Sequence, residues 1–292
     1  MYDVIIIGRG PAGISAALYT VRAGLKTLVI GIEGKGTLTK DHKIENYYGF
    51  VEPISSIELL ANGEKQAIRL GVEIIDAEVT SVDIFSKLLV KTSGATYEAE
   101  TVLLATGQAR KKAGIPDEER FAGKGVSYCA VCDGFFYKDK FVVVVGDGDF
   151  ALAEAREMKG IASSVTILTN GKEPQFDSKE FPVITEKITG IFGDEVARGI
   201  IFEDTSRING EGIFIAEGTA SATDFAKKLG IEFEGLDIKV NEKCETNFPG
   251  IFAAGDCIGG FRQIATAVGE GAIASRQIIE YCRKGKTDEK KL

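Results

Sequence analysis

Twice along this chain an uninterrupted apolar strand runs directly into a glycine-rich turn and then a helix. Residues 3–7 form the first strand, rich in β-branched side chains, and residues 8–13 read GRGPAG. The segment from Ile14 to Ala23 then has helical character, and Gly24 ends it. A strand, a G-x-G-x-x-G turn and a helix in this order place a pyrophosphate on the helix N-terminus. An ordinary tight turn between strand and helix is the alternative.

The same unit returns in the second half of the chain. Residues 141–145 form an apolar strand, residues 146–151 read GDGDFA, and a helical segment and a strand follow at 152–159 and 164–168. Buried strands that alternate with helices are typical of parallel sheets. With 292 residues the chain also exceeds the usual size of one compact domain. The sequence therefore predicts an α/β protein with two Rossmann-like three-layer domains.

Two cysteines, Cys129 and Cys132, lie between the two glycine-rich turns in the sequence CAVCDG. Thiols separated by two residues can close into a disulfide or open into a dithiol with little backbone movement, so the pair can store two electrons. A zinc site is the alternative, but it requires further clustered ligands. The chain has one histidine, His42, and no second cysteine pair, so we expect no metal. The remaining cysteines are expected to be buried, reduced thiols: Cys244, Cys257 and Cys282.

Composition restricts the partners and the compartment. The net charge of -8 argues against nucleic-acid binding, and no apolar run reaches the ~20 residues that span a bilayer. Residues 1–3 lead straight into a strand, without the basic and apolar regions of a secretory signal peptide. We therefore expect a cytoplasmic protein that binds neither nucleic acid nor membranes.

Taken together, these elements resemble the low-molecular-weight thioredoxin reductases over nearly the whole chain. The residues that carry the resemblance are Gly8 to Gly13, Glu45-Asn46, Ala105-Thr106-Gly107, Cys129 to Gly134, Gly255-Asp256 and Arg262-Gln263. The resemblance implies a homodimeric flavoprotein with a discontinuous FAD-binding domain, residues 1–113 and 246–292. A second Rossmann-like domain, residues 114–245, is inserted into the first and carries the cysteine pair. The GIPD break at residues 114–117 marks the first boundary.

The resemblance also implies which residues bind FAD. They are Gly8, Gly10, Pro11, Ala12, Gly13, Asn46, Thr106, Gly107, Gly255, Asp256, Arg262, Gln263 and Ile264. The glycines of the first turn are expected to hold the pyrophosphate. Asn46, Thr106 and Gly107 are expected beside the flavin, Asp256 at the ribityl or pyrophosphate region, and residues 262–264 along the pyrimidine edge.

For catalysis, the resemblance assigns three roles around the cysteine pair. Cys132 is expected to face the flavin, and Cys129 to exchange with the disulfide of thioredoxin. Asp133 is expected to protonate the leaving thiolate, since burial can raise the pKa of a carboxylic acid toward the working pH. A helix N-cap is the alternative role for Asp133, and the two roles are compatible.

Members of the family normally bind NADPH in the inserted domain, and the sequence departs from that pattern. The family usually supplies a His-Arg-Arg run for the ribose 2′-phosphate, where this chain reads LTNGKEP at residues 168–174. No arginine occurs between Arg156 and Arg198, and a lone Lys172 cannot form the bidentate pairs that a guanidinium makes with phosphate.

The second turn adds a further obstacle to a dinucleotide. Asp147 and Asp149 place two carboxylates where a pyrophosphate would bind, and they repel it. Asp147 binding a ribose hydroxyl is the alternative. We therefore expect that the inserted domain keeps its fold without its nucleotide.

The ferredoxin-dependent flavin thioredoxin reductases lack the same motifs, and this sequence resembles that branch most. The resemblance implies electron transfer from reduced ferredoxin, or flavodoxin, through FAD and the cysteine pair to thioredoxin disulfide. Two other functions stay open. One is an NAD(P)H-dependent thioredoxin reductase with an atypical nucleotide site, and the other is a redox-sensing flavoprotein without catalysis.

Overall fold

The computed structural model describes residues 1–36, 38, 41, 43–107, 113–177 and 179–289, with the side chains of 286–289 excepted. The strands are β1 (Tyr2–Ile7), β2 (Thr27–Ile30), β3 (Lys43–Ile44), β4 (Ile54–Ser55), β5 (Glu73–Ile75), β6 (Val79–Ile84), β7 (Leu88–Thr92), β8 (Thr96–Leu104), β9 (Val126–Ser127), β10 (Phe141–Val145), β11 (Ser164–Leu168), β12 (Val183–Ile184), β13 (Ile188–Gly193), β14 (Ala197–Phe202), β15 (Arg207–Asn209), β16 (Gly212–Ile215), β17 (Phe233–Glu234), β18 (Asp237–Ile238) and β19 (Ile251–Ala253). The helices are α1 (Pro11–Arg22), α2 (Ser56–Arg69), α3 (Ala130–Asp133), α4 (Asp149–Met158), α5 (Ala222–Leu229) and α6 (Ile264–Glu289). Short 3₁₀ turns follow α3 at Gly134–Tyr137 and β19 at Asp256–Ile258.

The chain divides into two compact units. The first unit is Met1–Ala109 with Ser221–Leu292, and the second unit is Arg110–Ala220. The first boundary lies close to the break predicted from the sequence, whereas the second lies at residue 220 and not at the predicted residue 245.

Long-range contacts explain the earlier second boundary. Helix α5 packs against β6, and the N–H of Ala222 donates to Thr106 Oγ1 at 2.9 Å. Thr223 Oγ1 donates to the carbonyl of Leu236, which joins α5 to the β17–β18 hairpin. A capping box between Ser221 and Asp224 begins the helix at this boundary. Residues 221–245 therefore belong to the first unit.

A parallel sheet forms the centre of the first unit. Its strand order is β5-β2-β1-β8, and the antiparallel strands β7 and β6 continue from the first half of β8. Strand β19 pairs in parallel with the second half of β8, Ile251 beside Val102. Helices α1 and α6 pack together on one face, and their core includes Ile14, Ala274 and Ile278.

The second unit has three layers. Its sheet is parallel throughout, with the order β12-β11-β10-β16-β9. Helix α4 packs against β10 and β11, and the β13-β14-β15 meander contributes Ile191 and Ile200 to a shared core with Val143 and Ile213. Each unit thus has a Rossmann-like sheet, and the predicted α/β class is confirmed. Within the described residues, no helix is both long enough and apolar enough to cross a membrane.

Helices α1 and α6 touch through a glycine, and this contact supplies a test of the fold. A Cβ on Gly271 would lie 2.2 Å from the carbonyl oxygen of Ala12, in the first turn of α1. Gly271→Ala is therefore expected to force the helices apart and to lower the free energy of unfolding by about 1–3 kcal/mol, measured by chemical denaturation.

Gly269→Ala is the matched control, two residues away on the same helix. No described atom lies within 4 Å of a Cβ built there, and the position is exposed. Alanine should raise the free energy of unfolding by about 0.5–1 kcal/mol, since it is the better helix former. Equal shifts for the two variants would contradict the close contact.

Candidate active site and cofactor cradle

The first glycine-rich turn forms an open cradle at the carboxyl end of β1. Gly8 has a φ of 116°, and a Cβ there would meet the carbonyl of Ala105 at 2.1 Å. A Cβ on Gly13 would meet the carbonyl of Gly8 at 2.0 Å, so the helix packs tightly on the turn. By contrast, no described atom lies within 4 Å of a Cβ on Gly10, and no described side chain caps α1, which begins at Pro11. The open position at Gly10 and the uncapped start of α1 fit a pyrophosphate.

Two other predicted residue pairs lie at the carboxyl ends of neighbouring strands. Thr106 and Gly107 follow β8, and Gly255 and Asp256 follow β19, which pairs with β8. Burial raises the pKa of Asp256 above its usual value, against the opposing effect of Arg262. These pairs and the cradle share one edge of the sheet, where α/β proteins bind their ligands.

Glu270 on α6 supports this edge, and the sequence analysis did not include it. Its Oε2 accepts the N–H of Gly255 at 2.8 Å. Burial raises the pKa of this carboxyl, and the nearby Asp256 raises it further. Ala12 lies below Gly255, since a Cβ on that glycine would be 2.8 Å from the Ala12 Cβ. Glu270 therefore fixes the backbone that presents Asp256.

The structure brings Asn46 and Gln263 together, as a shared site requires. Asn46 Nδ2 donates to Gln263 Oε1 at 3.0 Å, although 217 residues separate them in the sequence. Arg262 pairs with Asp237 of β18 at 2.6 Å, a partner that the sequence did not reveal. Ile264 begins α6 and is half-buried.

Arg9, the second residue of the GRGPAG turn, is directed toward α2. Its guanidinium makes two hydrogen bonds with the Glu64 carboxylate, at 2.6 and 2.7 Å, and lies 3.6 Å from Asp76. The hydrogen bonds that Arg9 donates to Glu64 raise the pKa of Arg9, so the charge persists at every physiological pH. The ion pair thus fixes the side chain of Arg9, the residue that follows Gly8 in the turn.

The Cys129–Cys132 disulfide of the second unit joins the two predicted redox residues, with a Cα–Cα distance of 5.3 Å. Cys129 is only 4% exposed, whereas Cys132 is exposed. The N–H of Cys132 donates to the Sγ of Cys129 at 3.2 Å. Such a bond stabilises a thiolate on Cys129 once the disulfide opens.

Asp133 lies beside the disulfide and is oriented by a buried serine. Ser127 Oγ donates to Asp133 Oδ2 at 2.7 Å and accepts the N–H of Cys129 at 3.1 Å. The Asp133 carboxylate makes no capping bond to the described 3₁₀ turn Gly134–Tyr137, so the geometry does not favour the N-cap role. One hydroxyl thus links the proposed proton donor to the backbone of the redox pair.

Two further carboxylates surround the pair, and the sequence analysis missed both. Glu154 of α4 accepts the N–H of Ala130, and Glu118 accepts the hydroxyl of Tyr128 at 3.0 Å. Burial and Glu118 raise the pKa of Tyr128. Glu154 lies 24 residues from Ala130 and Glu118 lies 10 residues from Tyr128, so neither contact follows a local pattern.

The other three cysteines are buried thiols, as predicted: Cys244, Cys257 and Cys282. Burial raises the pKa of Cys257 to about 12 and that of Cys244 to about 11, with a contribution from Glu270 in each case. Thiols of this kind stay protonated near neutral pH and are poor nucleophiles.

At the second glycine-rich turn, side chains of the chain itself pair with one another. Lys172 Nζ lies 3.2 Å from Asp147 Oδ1 and 3.7 Å from Glu217 Oε2. Asn170 Nδ2 also donates to Glu217, at 3.1 Å. Asp149 occupies the first turn of α4. Three carboxylates against one ammonium leave this turn with a net negative charge.

Three comparisons with known proteins agree with this geometry. A family model described as pyridine nucleotide-disulphide oxidoreductase matches residues 2–271. The thioredoxin reductase of Bacillus subtilis is 38% identical over 301 residues, which cover 96% of this chain and 95% of the relative.

Two solved structures are similar over nearly their whole length. One is the atypical thioredoxin reductase TRi from Desulfovibrio vulgaris Hildenborough, with a TM-score of 0.91 and 40% identity over 97% of this chain and 99% of that chain. The other is a ferredoxin-flavin thioredoxin reductase from Clostridium acetobutylicum, with a TM-score of 0.74 and 31% identity over 97% of this chain and 98% of that chain.

Proposed function

Because this chain belongs to the thioredoxin reductases of the pyridine nucleotide-disulphide oxidoreductase family, we propose that it carries electrons from reduced ferredoxin to the disulfide of thioredoxin. Thioredoxin reductases are FAD flavoproteins and disulfide oxidoreductases. Reduced ferredoxin is the proposed electron donor, and flavodoxin is the alternative donor. The proposal places the reaction in the cytoplasm and in a homodimer.

FAD fits the first unit, and the predicted residues would hold it. The uncapped N-terminus of α1 and the open position at Gly10 suit its pyrophosphate. Asp256, Asn46 and Gln263 supply polar groups for the ribityl chain and the flavin. When bound, FAD supplies chemistry that accepts electrons singly and delivers them in pairs.

The chain's own residues then exchange one disulfide for another. The Cys129–Cys132 disulfide takes up two electrons from two reduced ferredoxins, and two protons, and becomes a dithiol. Cys132 is the exposed sulfur through which these electrons enter. Cys129 then attacks the thioredoxin disulfide, Asp133 protonates the thiolate that leaves, and Cys132 displaces the second thioredoxin thiol.

The second glycine-rich turn is the observation that carries the choice of donor. Asp147 and Glu217 bracket Lys172, and no bidentate guanidinium is paired with this turn among the contacts of the described residues. At an effective dielectric constant of ~20, like charges about 4 Å apart cost on the order of 4 kcal/mol. A loss of that size corresponds to ~3 orders of magnitude in affinity for a pyridine dinucleotide. The structural relative named as a ferredoxin-flavin enzyme supports the same donor.

An anaerobic donor experiment tests the proposal. Oxidised enzyme is mixed with NADPH, with NADH, or with photoreduced ferredoxin, and flavin absorbance is followed; thioredoxin is then added and its thiols are counted. Ferredoxin should bleach the flavin rapidly and yield two thiols per thioredoxin, while both nucleotides leave the yellow colour unchanged. Rapid bleaching by either nucleotide would overturn the choice of donor.

An NAD(P)H-dependent reductase with an atypical site is the second candidate. Its support is the retained β10–turn–α4 unit, whose helix has Gly148 as N-cap without a side-chain bond in the described structure. The same nucleotide mixing separates the two functions. Light scattering of the purified protein tests the homodimer, with twice the 31.3 kDa of one chain as the expected mass.

A further inference from the structure

Glu154 is a buried carboxylate next to the redox pair, and the electron route above does not use it. Its exposed fraction is 1%, and its Oε2 accepts the N–H of Ala130 at 2.7 Å. Ala130 directly follows Cys129 in the sequence, and it is itself completely buried. The carboxylate therefore binds the backbone of the residue that directly follows a redox cysteine.

Close packing keeps solvent away from this carboxylate. Helix α3 packs against α4, and a Cβ on Gly134 would lie 2.9 Å from the sulfur of Met158. Cys129 is 4% exposed, so water has little access to its side of the disulfide. In such a setting, charges interact over several ångströms with little screening.

We propose that the Glu154 carboxylate is a positioning residue that holds the reduction potential of the Cys129–Cys132 pair low. Reduction breaks the S–S bond and adds two electrons and two protons, and Cys129, the attacking sulfur, then releases one proton to the solvent and becomes a thiolate that the Cys132 N–H can hold. A neutral disulfide is indifferent to a nearby negative charge, whereas a sulfur that acquires thiolate character beside it is destabilised. Glu154 thus favours the disulfide and makes the dithiol a stronger reductant for its substrate.

A second contact at Cys129 has the opposite effect on the reduction potential. The N–H of Cys132 donates to the Sγ of Cys129 at 3.2 Å and stabilises negative charge on that sulfur. Asp133, which accepts a hydrogen bond from Ser127 Oγ, is the second carboxylate near the pair. Of these three groups, the Cys132 N–H raises the reduction potential of the pair, whereas the two carboxylates lower it.

Equilibrium with dithiothreitol measures the potential directly on the full-length protein. Dithiothreitol gives two electrons and two protons to the disulfide and becomes its own cyclic disulfide. The fraction of dithiol is read by trapping with an alkylating agent and by mass spectrometry of the peptide that contains Cys129 and Cys132. Glu154→Gln should raise the equilibrium constant for reduction about tenfold, which is about 30 mV for a two-electron couple.

Two variants separate charge from structure. Glutamine keeps an oxygen that accepts the Ala130 N–H, so a purely structural role predicts no shift. Glu157→Gln removes the same charge from an exposed position of α4 and should stay within twofold of wild type. An unchanged constant for Glu154→Gln, or a shift toward the disulfide, would overturn the proposal.

A second variant keeps the test decisive if Glu154→Gln does not fold. Glu154→Asp keeps the charge while it shortens the side chain, and its constant should stay within threefold of wild type. A tenfold shift for the aspartate variant would also refute the charge mechanism. The inference rests on the redox pair of the proposed function, but the measurement needs neither ferredoxin nor thioredoxin. Its failure therefore leaves the donor question untouched, and the reverse also holds.

Discussion

Replacing Cys132 with serine is expected to slow the reduction of thioredoxin by about 10³-fold or more, a loss typical of removing a group that forms a covalent intermediate. The variant cannot close the disulfide, so the chain can no longer store two electrons. Binding of FAD should persist, because the predicted FAD residues belong to the first unit and the cysteine pair to the second. The measurement is the rate of thiol formation with photoreduced ferredoxin, together with the flavin spectrum.

The same variant should also trap a covalent intermediate. Its Cys129 can attack the thioredoxin disulfide and release one thioredoxin thiol, but no second reductase thiol remains to resolve the mixed disulfide, and an alkylating agent added after mixing blocks the released thioredoxin thiol from reversing the attack. A stable adduct should appear on a non-reducing gel, and Cys129→Ser should form none through this route. Cys282→Ala is the control, because this buried thiol belongs to the first unit.

Full activity of Cys132→Ser would count against both enzyme functions considered above. If the protein is instead a redox-sensing flavoprotein, the wild type itself should not reduce thioredoxin, and neither cysteine variant should differ from it. An adduct through Cys132 in the Cys129→Ser variant, with none through Cys129, would reverse the roles assigned to the two sulfurs. The exposed position of Cys132 makes that comparison informative.

Asp133→Asn is expected to lower the rate of thiol exchange by about 10²- to 10⁴-fold, the usual contribution of a positioned general acid. Asparagine keeps an oxygen that accepts from Ser127 Oγ, so the local hydrogen bond survives while the transferable proton is lost. The measurement is a single-turnover reaction of the prereduced dithiol with oxidised thioredoxin.

Asp139→Asn is a matched control for this variant. Asp139 is exposed, lies six residues further along, and has a φ of 60°, which asparagine also tolerates. Its rate should stay close to that of wild type. A rate for Asp133→Asn within threefold of the control, with unchanged stability, would leave the proton donor unassigned to Asp133.

Local patterns in the sequence were sufficient for the core of both units. Each apolar strand and each glycine turn was recognisable because its spacing is fixed by short-range geometry, and the disulfide joins two cysteines only three positions apart. In the first glycine turn the structure shows backbone contacts that require glycine at Gly8 and Gly13 and leaves Gly10 open, whereas pyrophosphate binding by these glycines stays a prediction.

Contacts between distant segments could not be predicted from the sequence. The second boundary lies at residue 220 because Ser221 caps α5 and because Ala222 donates to Thr106. The Ala222–Thr106 bond joins residues that are 116 positions apart. The carboxylate of Glu270 accepts the N–H of Gly255, 15 residues earlier, and no sequence motif describes this contact. Carboxylates such as Glu154 carry no local signature, because a buried and an exposed glutamate look alike in one sequence.

The order of synthesis follows from the way the first unit is divided. The second unit is one continuous stretch, so all of its strands have been synthesised once residue 220 has been added. The first sheet, by contrast, lacks β19 and the helix that covers α1 until residues 251–289 emerge. The inserted unit can therefore mature during translation, whereas the sheet of the flavin unit is completed only after residues 251–289 have also emerged.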